Sequence, residues 1–480
     1  ICIMALAAWG FVQHTLWLLV VALFMMGVHS TLFGPAKYAY LPQHLGEHEL
    51  VGGNGLVEMG TFVAILLGQV LGAAIISATD SGWPVAATIL LLAVSGWLAS
   101  RSAPPSPAPE PGLKIGWNPV TETFRNISFA RQSRAVWLAL LGISWFWFYG
   151  ATLLAQFPNF AKLVLLGNES TFILLLSVFS IGIGIGSVLC EKLSRGHVEI
   201  GLVPFGAIGM TVFGLDLYFA IPAIALDNPG NLTLLLGHFT HWRMLADIAL
   251  IGLSGGLYIV PLYAMVQSRS EKSHQSRIMA ANNILNSAFM VGSAVISLLL
   301  FKLSLSIPQL FLATALFNAV VAIYIYSLLP EFLMRFLVWL VVSFFYRIHS
   351  RGTEALPRQG AALLTCNHIR AADALVILAC SPRPVRFVLD EAAFRKPLLG
   401  FILRHNHAIV LQESGTGTAI SAALANGDLV AVFADEAGAF PSAIQALLAA
   451  TPSQPLSLRS SQRKGLFQAA RLTIEPQAAA

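Results

Sequence analysis

Charge is scarce in this sequence: Asp, Glu, Lys and Arg make up 11% of its 480 residues, against 56% hydrophobic. So few polar groups cannot cover a globule large enough to bury the apolar remainder, which excludes an ordinary soluble chain and makes lipid the solvent. Cysteine is scarce too. Cys2, Cys190, Cys366 and Cys380 lie far apart, with no Cys-x-x-Cys pair and no paired histidine spacing, which leaves neither a disulfide framework nor a metal site such as zinc. Position 1 is Ile1 and no signal peptide precedes the first apolar run, so the sequence reads as a piece of a longer chain. The net charge of +5 is no sign of a nucleic-acid partner, because the basic residues sit in short connectors between apolar runs, where membrane topology puts them.

What is present divides into two physical regimes. Residues 1–345 carry long apolar runs, whereas from residue 349 onward charges recur every few residues. Apolar windows predict ten spans, near 1–13, 16–34, 55–78, 84–100, 136–156, 171–190, 199–222, 245–266, 279–301 and 308–329, the first of them short. An even number returns both ends of the block to one side. Lys37, then Arg101, Lys114, Arg125, Arg131 and Arg134, then Lys192 and Arg195, then Arg269, Lys272 and Arg277 fall in alternate connectors, and only Lys162, Arg243 and Lys302 in the others. Because short cytoplasmic loops keep Lys and Arg, this bias puts the Pro-rich connector 101–135 and the C-terminal domain in the cytoplasm.

An internal repeat narrows the class. Asn54-Gly55-Leu56-Val57-Glu58 opens one span and Asn282-Asn283-Ile284-Leu285-Asn286 another, each preceded by two small residues and, further back, by a Pro and a Tyr (Pro35 and Tyr38; Pro261 and Tyr263). The two segments are six spans apart, as two six-helix halves require if two spans precede Ile1, and duplicated halves mark transporters. The run His29-Ser30-Thr31-Leu32-Phe33-Gly34-Pro35-Ala36-Lys37-Tyr38, with Leu41-Pro42-Gln43 and Leu50-Val51-Gly52-Gly53-Asn54-Gly55-Leu56-Val57-Glu58, resembles the lysophospholipid transporter family of the major facilitator superfamily. The resemblance covers residues 1–330 and implies an all-α polytopic domain with ten of its twelve helices present. It also implies a flippase that brings lysophosphatidylethanolamine and related lysolipids to the cytoplasmic leaflet for re-acylation.

Ionisable groups inside spans are costly and therefore candidates for transport. Glu58 reads equally as a contact for a head group or coupling proton and as a carboxylate bonded to a neighbouring helix. Lys37, beside Pro35 at an expected helix end, either attracts phosphate or snorkels. Asn282 and Asn286 share one helix face, and with Asn54 and Asn283 serve interhelical packing or substrate binding. Gly182, Gly184 and Gly186 point to close helix approach rather than chemistry. Asp216 and Asp247 lie near span interiors or ends, and His238 and His241 fall in the connector 223–244, on the outer side, where two histidines alone make no metal site.

Residues 331–348 are apolar enough to cross but interrupted by Arg335, and an interfacial helix is the expectation. Beyond it, Leu363-Leu364-Thr365-Cys366-Asn367-His368-Ile369-Arg370-Ala371-Ala372-Asp373 is a strand-like run ending in a His-x4-Asp pattern. A histidine can take a hydroxyl proton while a nearby carboxylate orients the imidazole, as acyl transfer requires. With Val385-Arg386-Phe387-Val388-Leu389-Asp390 and Phe394-Arg395-Lys396-Pro397, residues 349–480 resemble the glycerolipid acyltransferase family, a small α/β domain. By that resemblance His368 is the general base, Asp373 its partner, and an acyl thioester of coenzyme A or acyl carrier protein the donor, with no bound cofactor. The sequence departs from the family where Phe-Pro-Glu-Gly is expected: Phe433 is followed by Ala434-Asp435-Glu436-Ala437-Gly438. An Arg expected in a further block is not evident in Ala408-Ile409-Val410-Leu411-Gln412. The combined expectation is a multi-pass inner-membrane lysophospholipid transporter coupled to re-acylation. The alternatives are a transporter carrying an inactive acyltransferase-like domain and an exporter of another amphiphile.

Overall fold

The computed structural model describes the chain outside residues 108–115, 117, 195–198, 222–236, 238, 329–333, 335–336, 341, 343–346, 352–359, 367–370, 382–383, 413–414, 435–438, 442–443, 446, 448–455, 462–468 and 477–480. It divides into two units, 1–198 with 202–323, and 324–480 with 199–201.

The first unit is helical: α1 (Cys2–Val12), α2 (Leu16–His44), α3 (Leu50–Ala78), α4 (Gly82–Ser100), α5 (Pro119–Arg131), α6 (Arg134–Asn159), α7 (Glu169–Ser194), α8 (Leu202–Ala220), α9 (Phe239–Arg269), α10 (Gln275–Lys302) and α11 (Ile307–Leu328). Among the described residues nine helices are long and apolar enough to cross a membrane, and α1 is a shorter apolar one. In hydrocarbon every backbone polar group must be satisfied within the segment, which is why these runs are helices. The connector helix α5 is started by its own sequence. Asn118 accepts hydrogen bonds from the amides of Val120 and Thr121, and Pro119 occupies the first turn, where its missing N–H costs nothing.

Three boundaries differ from expectation. The second span does not stop at residue 34 but continues through Pro35 and Pro42 to His44, since membrane helices tolerate proline where neighbouring helices and side-chain hydroxyls satisfy the freed backbone. Lys37 therefore sits inside α2, not at a helix end. The third span begins at Leu50, which puts Glu58 about two turns into it. His241 and Arg243, expected in a connector, lie on α9. His238 lies outside the described residues.

Glycine decides how α7 meets α9. A Cβ on Gly182 or Gly186 would strike the carbonyl oxygens of Ala249 and Leu253, and one on Gly252 or Gly256 those of Phe179 and Ile183. Two small-x-x-x-small faces thus interlock backbone to backbone, the close approach expected for Gly182 and Gly186. Gly184 points elsewhere, toward Met59.

The second unit is a seven-stranded sheet in the order β1-β7-β6-β2-β5-β3-β4, where β1 is Arg347–Arg351, β2 Ala362–Cys366, β3 Val385–Leu389, β4 Ile409–Val410, β5 Leu429–Phe433, β6 Leu456–Ser461 and β7 Ala469–Pro476. Neighbours pair in parallel except β6 with β7. Helices α12 (Ala371–Cys380), α13 (Glu391–Arg395), α14 (Pro397–His405) and α15 (Thr416–Ala425) fill the crossovers. Alternate residues of each strand face opposite layers. Leu364, Cys366, Phe387 and Ala431 pack with α12, α14 and, ahead of the sheet, Val338 and Val342, while Leu363, Val388, Val430 and Val432 pack with α15. The expected interfacial helix is helical at its described positions, Met334, 337–340 and Val342, and Met334, Val338, Trp339 and Val342 contribute to this core.

Candidate functional site

The two repeated segments meet in one polar cluster inside the helical unit. Tyr38 on α2 donates a hydrogen bond from its hydroxyl to Glu58 Oε1 on α3, and Glu58 is fully buried. The Tyr38 ring lies parallel to that of Tyr263 on α9, with centroids 4.2 Å apart and 5° between the planes. The Tyr263 hydroxyl in turn accepts from Trp147 Nε1 on α6 at 3.5 Å. The Pro–Tyr markers of the two halves are therefore stacked on each other.

Polar side chains surround this pair. Lys37 Nζ lies 4.6 Å from the Tyr38 ring centroid and donates to Thr61 Oγ1 at 3.4 Å. Asn54 and Gln267 exchange amide hydrogen bonds, and Gln267 Nε2 also donates to the Tyr38 carbonyl at 3.0 Å, which ties α3 and α2 to α9. Asn286 accepts from Ser144 Oγ at 2.9 Å. Asn282, close to the Tyr263 hydroxyl, is fully buried, and among the described residues neither its Oδ1 nor its Nδ2 makes a hydrogen bond of ordinary geometry; Glu58 Oε2 makes none either. The structure thus brings Lys37, Asn54, Glu58 and Asn282, from α2, α3 and α10, around the two stacked tyrosines, while Asn286, one turn beyond Asn282 on α10, bonds to Ser144 on α6. Sequence reasoning missed Tyr38 and Tyr263 as members of the site and missed Gln267, Thr61 and Trp147 altogether. The Pro–Tyr repeat was the signal for the two tyrosines.

Two further polar groupings flank the bundle. Arg243 on α9 makes a two-pronged ion pair with Asp216 on α8, near Asp247. At the connector, Glu122 of α5 pairs with Arg277 of α10 at 3.0 Å, and Phe129 of α5 packs its ring on His274, with centroids 4.1 Å apart. α5 is thereby pinned to the start of α10.

In the second unit the motif-bearing segments leave the sheet at one edge. β2 and β5 are parallel neighbours with Cys366 opposite Phe433, and the Ala434 amide donates to the Cys366 carbonyl at 2.9 Å. The His-x4-Asp segment follows β2 and the Ala434-Asp435-Glu436 segment follows β5, so both begin at the carboxyl ends of adjacent strands, where open parallel sheets hold their ligands. β3 ends at the same edge, and Asp390 after it accepts from the Ala393 amide at 3.3 Å, capping α13. Asp373 is the third residue of α12. His368, Asn367, Asp435 and Glu436 lie outside the described residues.

A bundle of apolar spanning helices with a polar cluster sealed inside it is the make-up of a multi-pass membrane transporter. The family model described as Major Facilitator Superfamily matches residues 1–288, and the chain belongs to that superfamily. The family model described as Acyltransferase matches residues 347–476. Among curated relatives, the lysophospholipid transporter LplT of Enterobacter sp. (strain 638) is 29% identical over 259 residues, 52% of this chain and 57% of the relative. The lysophospholipid transporter LplT of Shigella boydii serotype 4 (strain Sb227) is 30% identical over 286 residues, 57% of this chain and 65% of the relative. The chain spans less than two thirds of the length of these relatives. Among solved structures, the crystal structure of the major facilitator transporter FucP in the outward conformation is similar with a TM-score of 0.47 and 14% identity, over 68% of this chain and 79% of that one.

Proposed function

We propose that this chain moves lysophospholipids across a bacterial inner membrane and re-acylates them with its C-terminal domain, on the cytoplasmic side. The reading is carried by the chain's own make-up: a region similar to lysophospholipid transporters runs on, in one polypeptide, into a region that matches the acyltransferase family model. A flippase delivers a single-chain lipid to the leaflet where thioester donors are found, and an acyltransferase tethered there removes it by converting it to diacyl lipid.

In this reading the domains are the transporter, residues 1–330, an interfacial helix over 331–348, whose last two residues, Arg347 and Ile348, the structure instead gives to β1, and the acyltransferase domain, 349–480. Lys37 attracts the lysolipid phosphate, and Glu58, with Asn54, Asn282 and Asn286, receives the rest of the head group or a coupling proton. The enclosure of Glu58 by Tyr38 and the open hydrogen-bonding capacity of Asn282 support that role. In the second unit His368 takes the proton of the lysolipid hydroxyl as its oxygen attacks the thioester carbonyl, Asp373 orients the imidazole, and the thiol of coenzyme A or acyl carrier protein leaves. The shared carboxyl edge of β2 and β5 supports a site there.

A second reading, a transporter whose acyltransferase domain is inactive, is favoured by the Ala434-Asp435-Glu436-Ala437-Gly438 segment standing where the acyltransferase pattern has Pro-Glu-Gly. One experiment separates them. Cells lacking their own lysolipid salvage receive the complete gene and labelled lysophosphatidylethanolamine, and entry and conversion to diacyl lipid are followed for wild type and His368→Ala. We expect both in the wild type, and entry without conversion in the variant. Entry without conversion in both proteins selects the inactive domain, and absence of entry in both removes the lysolipid assignment in favour of another amphiphile.

A further inference from the structure

The helical layer on one face of the α/β unit carries a feature that neither transport nor acyl transfer uses. Within α14 the inward residues Leu399, Ile402 and Leu403 are buried against the sheet. Pro397, Phe401, Arg404 and His405 recur at helical spacing on the opposite side. Phe401 is 48% exposed, and the His405 ring packs beside it at 4.2 Å. Among the described residues beyond α11, the large apolar side chains left exposed are Phe401 and Leu340. Leu340 belongs to the helical stretch whose neighbours Val338 and Val342 pack into the same core as α14, so both exposed residues lie on one layer. The layer over the other face of the sheet is different: α15 exposes Thr418, Ala419, Ser421, Ala422 and Ala425, which are small and uncharged.

Charge marks the same layer. Lys396 caps the start of α14 and is exposed, and the exposed Arg404 folds along the helix, donating to the carbonyls of Gly400 at 3.1 Å and Phe394 at 3.3 Å. Arg395 is paired with Glu391 at 3.2 Å and Asp390 caps α13, while Lys396 and Arg404 make no ion pair among the described residues. An aromatic flanked by Lys and Arg on the outer face of a short amphipathic helix is the pattern that inserts at the head-group boundary of an anionic bilayer. In the sequence only residues 329–333 separate α11 from Met334 of this layer.

We propose that the α14 face, with Phe401 as its apolar tip and Lys396 and Arg404 as its cations, docks on the surface of an anionic phospholipid bilayer. The docking turns the helical layer of Leu340 and Phe401 toward lipid and leaves α15 toward water. It does not depend on whether the domain transfers acyl groups.

Site-specific photocrosslinking tests it in the full chain. Phe401→p-benzoylphenylalanine and Ala422→p-benzoylphenylalanine are reconstituted in vesicles of phosphatidylcholine with a minority of phosphatidylglycerol, with radiolabelled lipid, and the protein–lipid adduct is measured after irradiation. The expected result is a lipid adduct at position 401 several-fold above that at position 422, falling several-fold when phosphatidylglycerol is replaced by phosphatidylcholine or when Lys396→Glu is added. Equal adducts at the two positions, no lipid adduct at 401, crosslinking of 401 to protein, or a yield indifferent to phosphatidylglycerol each overturns the proposal.

Discussion

A side chain sealed among helices has to find its hydrogen bonds there, and among the described residues Asn282 makes none of ordinary geometry, while Asn54, its counterpart in the repeat, is tied to Gln267. An amide buried without partners costs about 1–3 kcal/mol relative to one that is paired. If Asn282 served packing alone, an apolar residue of similar size would do better, whereas the proposed contact with substrate would account for its presence. Asn282→Leu is therefore expected to leave the thermal midpoint of the detergent-purified protein unchanged or raised, and to reduce uptake of labelled lysophosphatidylethanolamine about tenfold or more, the equivalent of about 1.4 kcal/mol. A lowered midpoint with uptake in proportion to folded protein would assign the amide to structure. The polar residues of this cluster were legible in the sequence because an amide or carboxylate inside an apolar run stands out. Tyr38, Tyr263 and Trp147 were not, since an aromatic on a membrane helix looks like packing until the fold stacks the two repeats ring on ring.

At the scale of elements the glycines separate two kinds of close contact. Gly186 faces the Leu253 carbonyl, part of a neighbouring backbone that cannot move without displacing α9, whereas the atom nearest a Cβ on Gly184 is Cγ of Met59, 3.3 Å away on a flexible side chain. Gly186→Val should therefore lower stability by about 1–3 kcal/mol, the usual cost of overpacking, seen as a lower melting temperature and less protein in the membrane. Gly184→Ala should stay close to wild type. Equal effects of the two would mean that α7 and α9 are not packed through this face. Gly182, Gly184 and Gly186 announce a close helix contact, but the partner is not legible, because which helices meet is a property of the whole bundle. Ends were harder than spans. Hydropathy falls at Gly34, which ends the expected span there, yet the helix carries Lys37 and Tyr38 on through Pro35, held by the polar neighbours that a sequence window does not see. In the α/β unit, β2 was legible as an apolar run before Asn367, whereas its pairing with β5, which puts two motif-bearing segments on one edge, is long-range and left no local sign.

Over the whole molecule the two units have separate interiors, one packed between helices and one on either face of a sheet, so damage confined to one interior need not reach the other. What links them in the proposed function is the lipid itself, passing from the transport route to the acyl-transfer site, and this gives the two steps an order that variants can read. Glu58 belongs to the transporter, is fully buried, and is replaced nearly isosterically by Gln, which keeps an oxygen for the Tyr38 hydroxyl while removing the titratable carboxyl. In cells supplied with external lysophosphatidylethanolamine, Glu58→Gln is expected to lose both entry and conversion, because the second step is starved. In detergent-solubilised membranes, where lysolipid and acyl thioester reach the second unit without crossing a bilayer, the same variant is expected to convert at the wild-type rate, and His368→Ala is expected not to convert at all. Conversion lost by Glu58→Gln in solubilised membranes, at an unchanged amount of folded protein, would show that the units share more than substrate, and conversion retained in cells would remove Glu58 from the transport route.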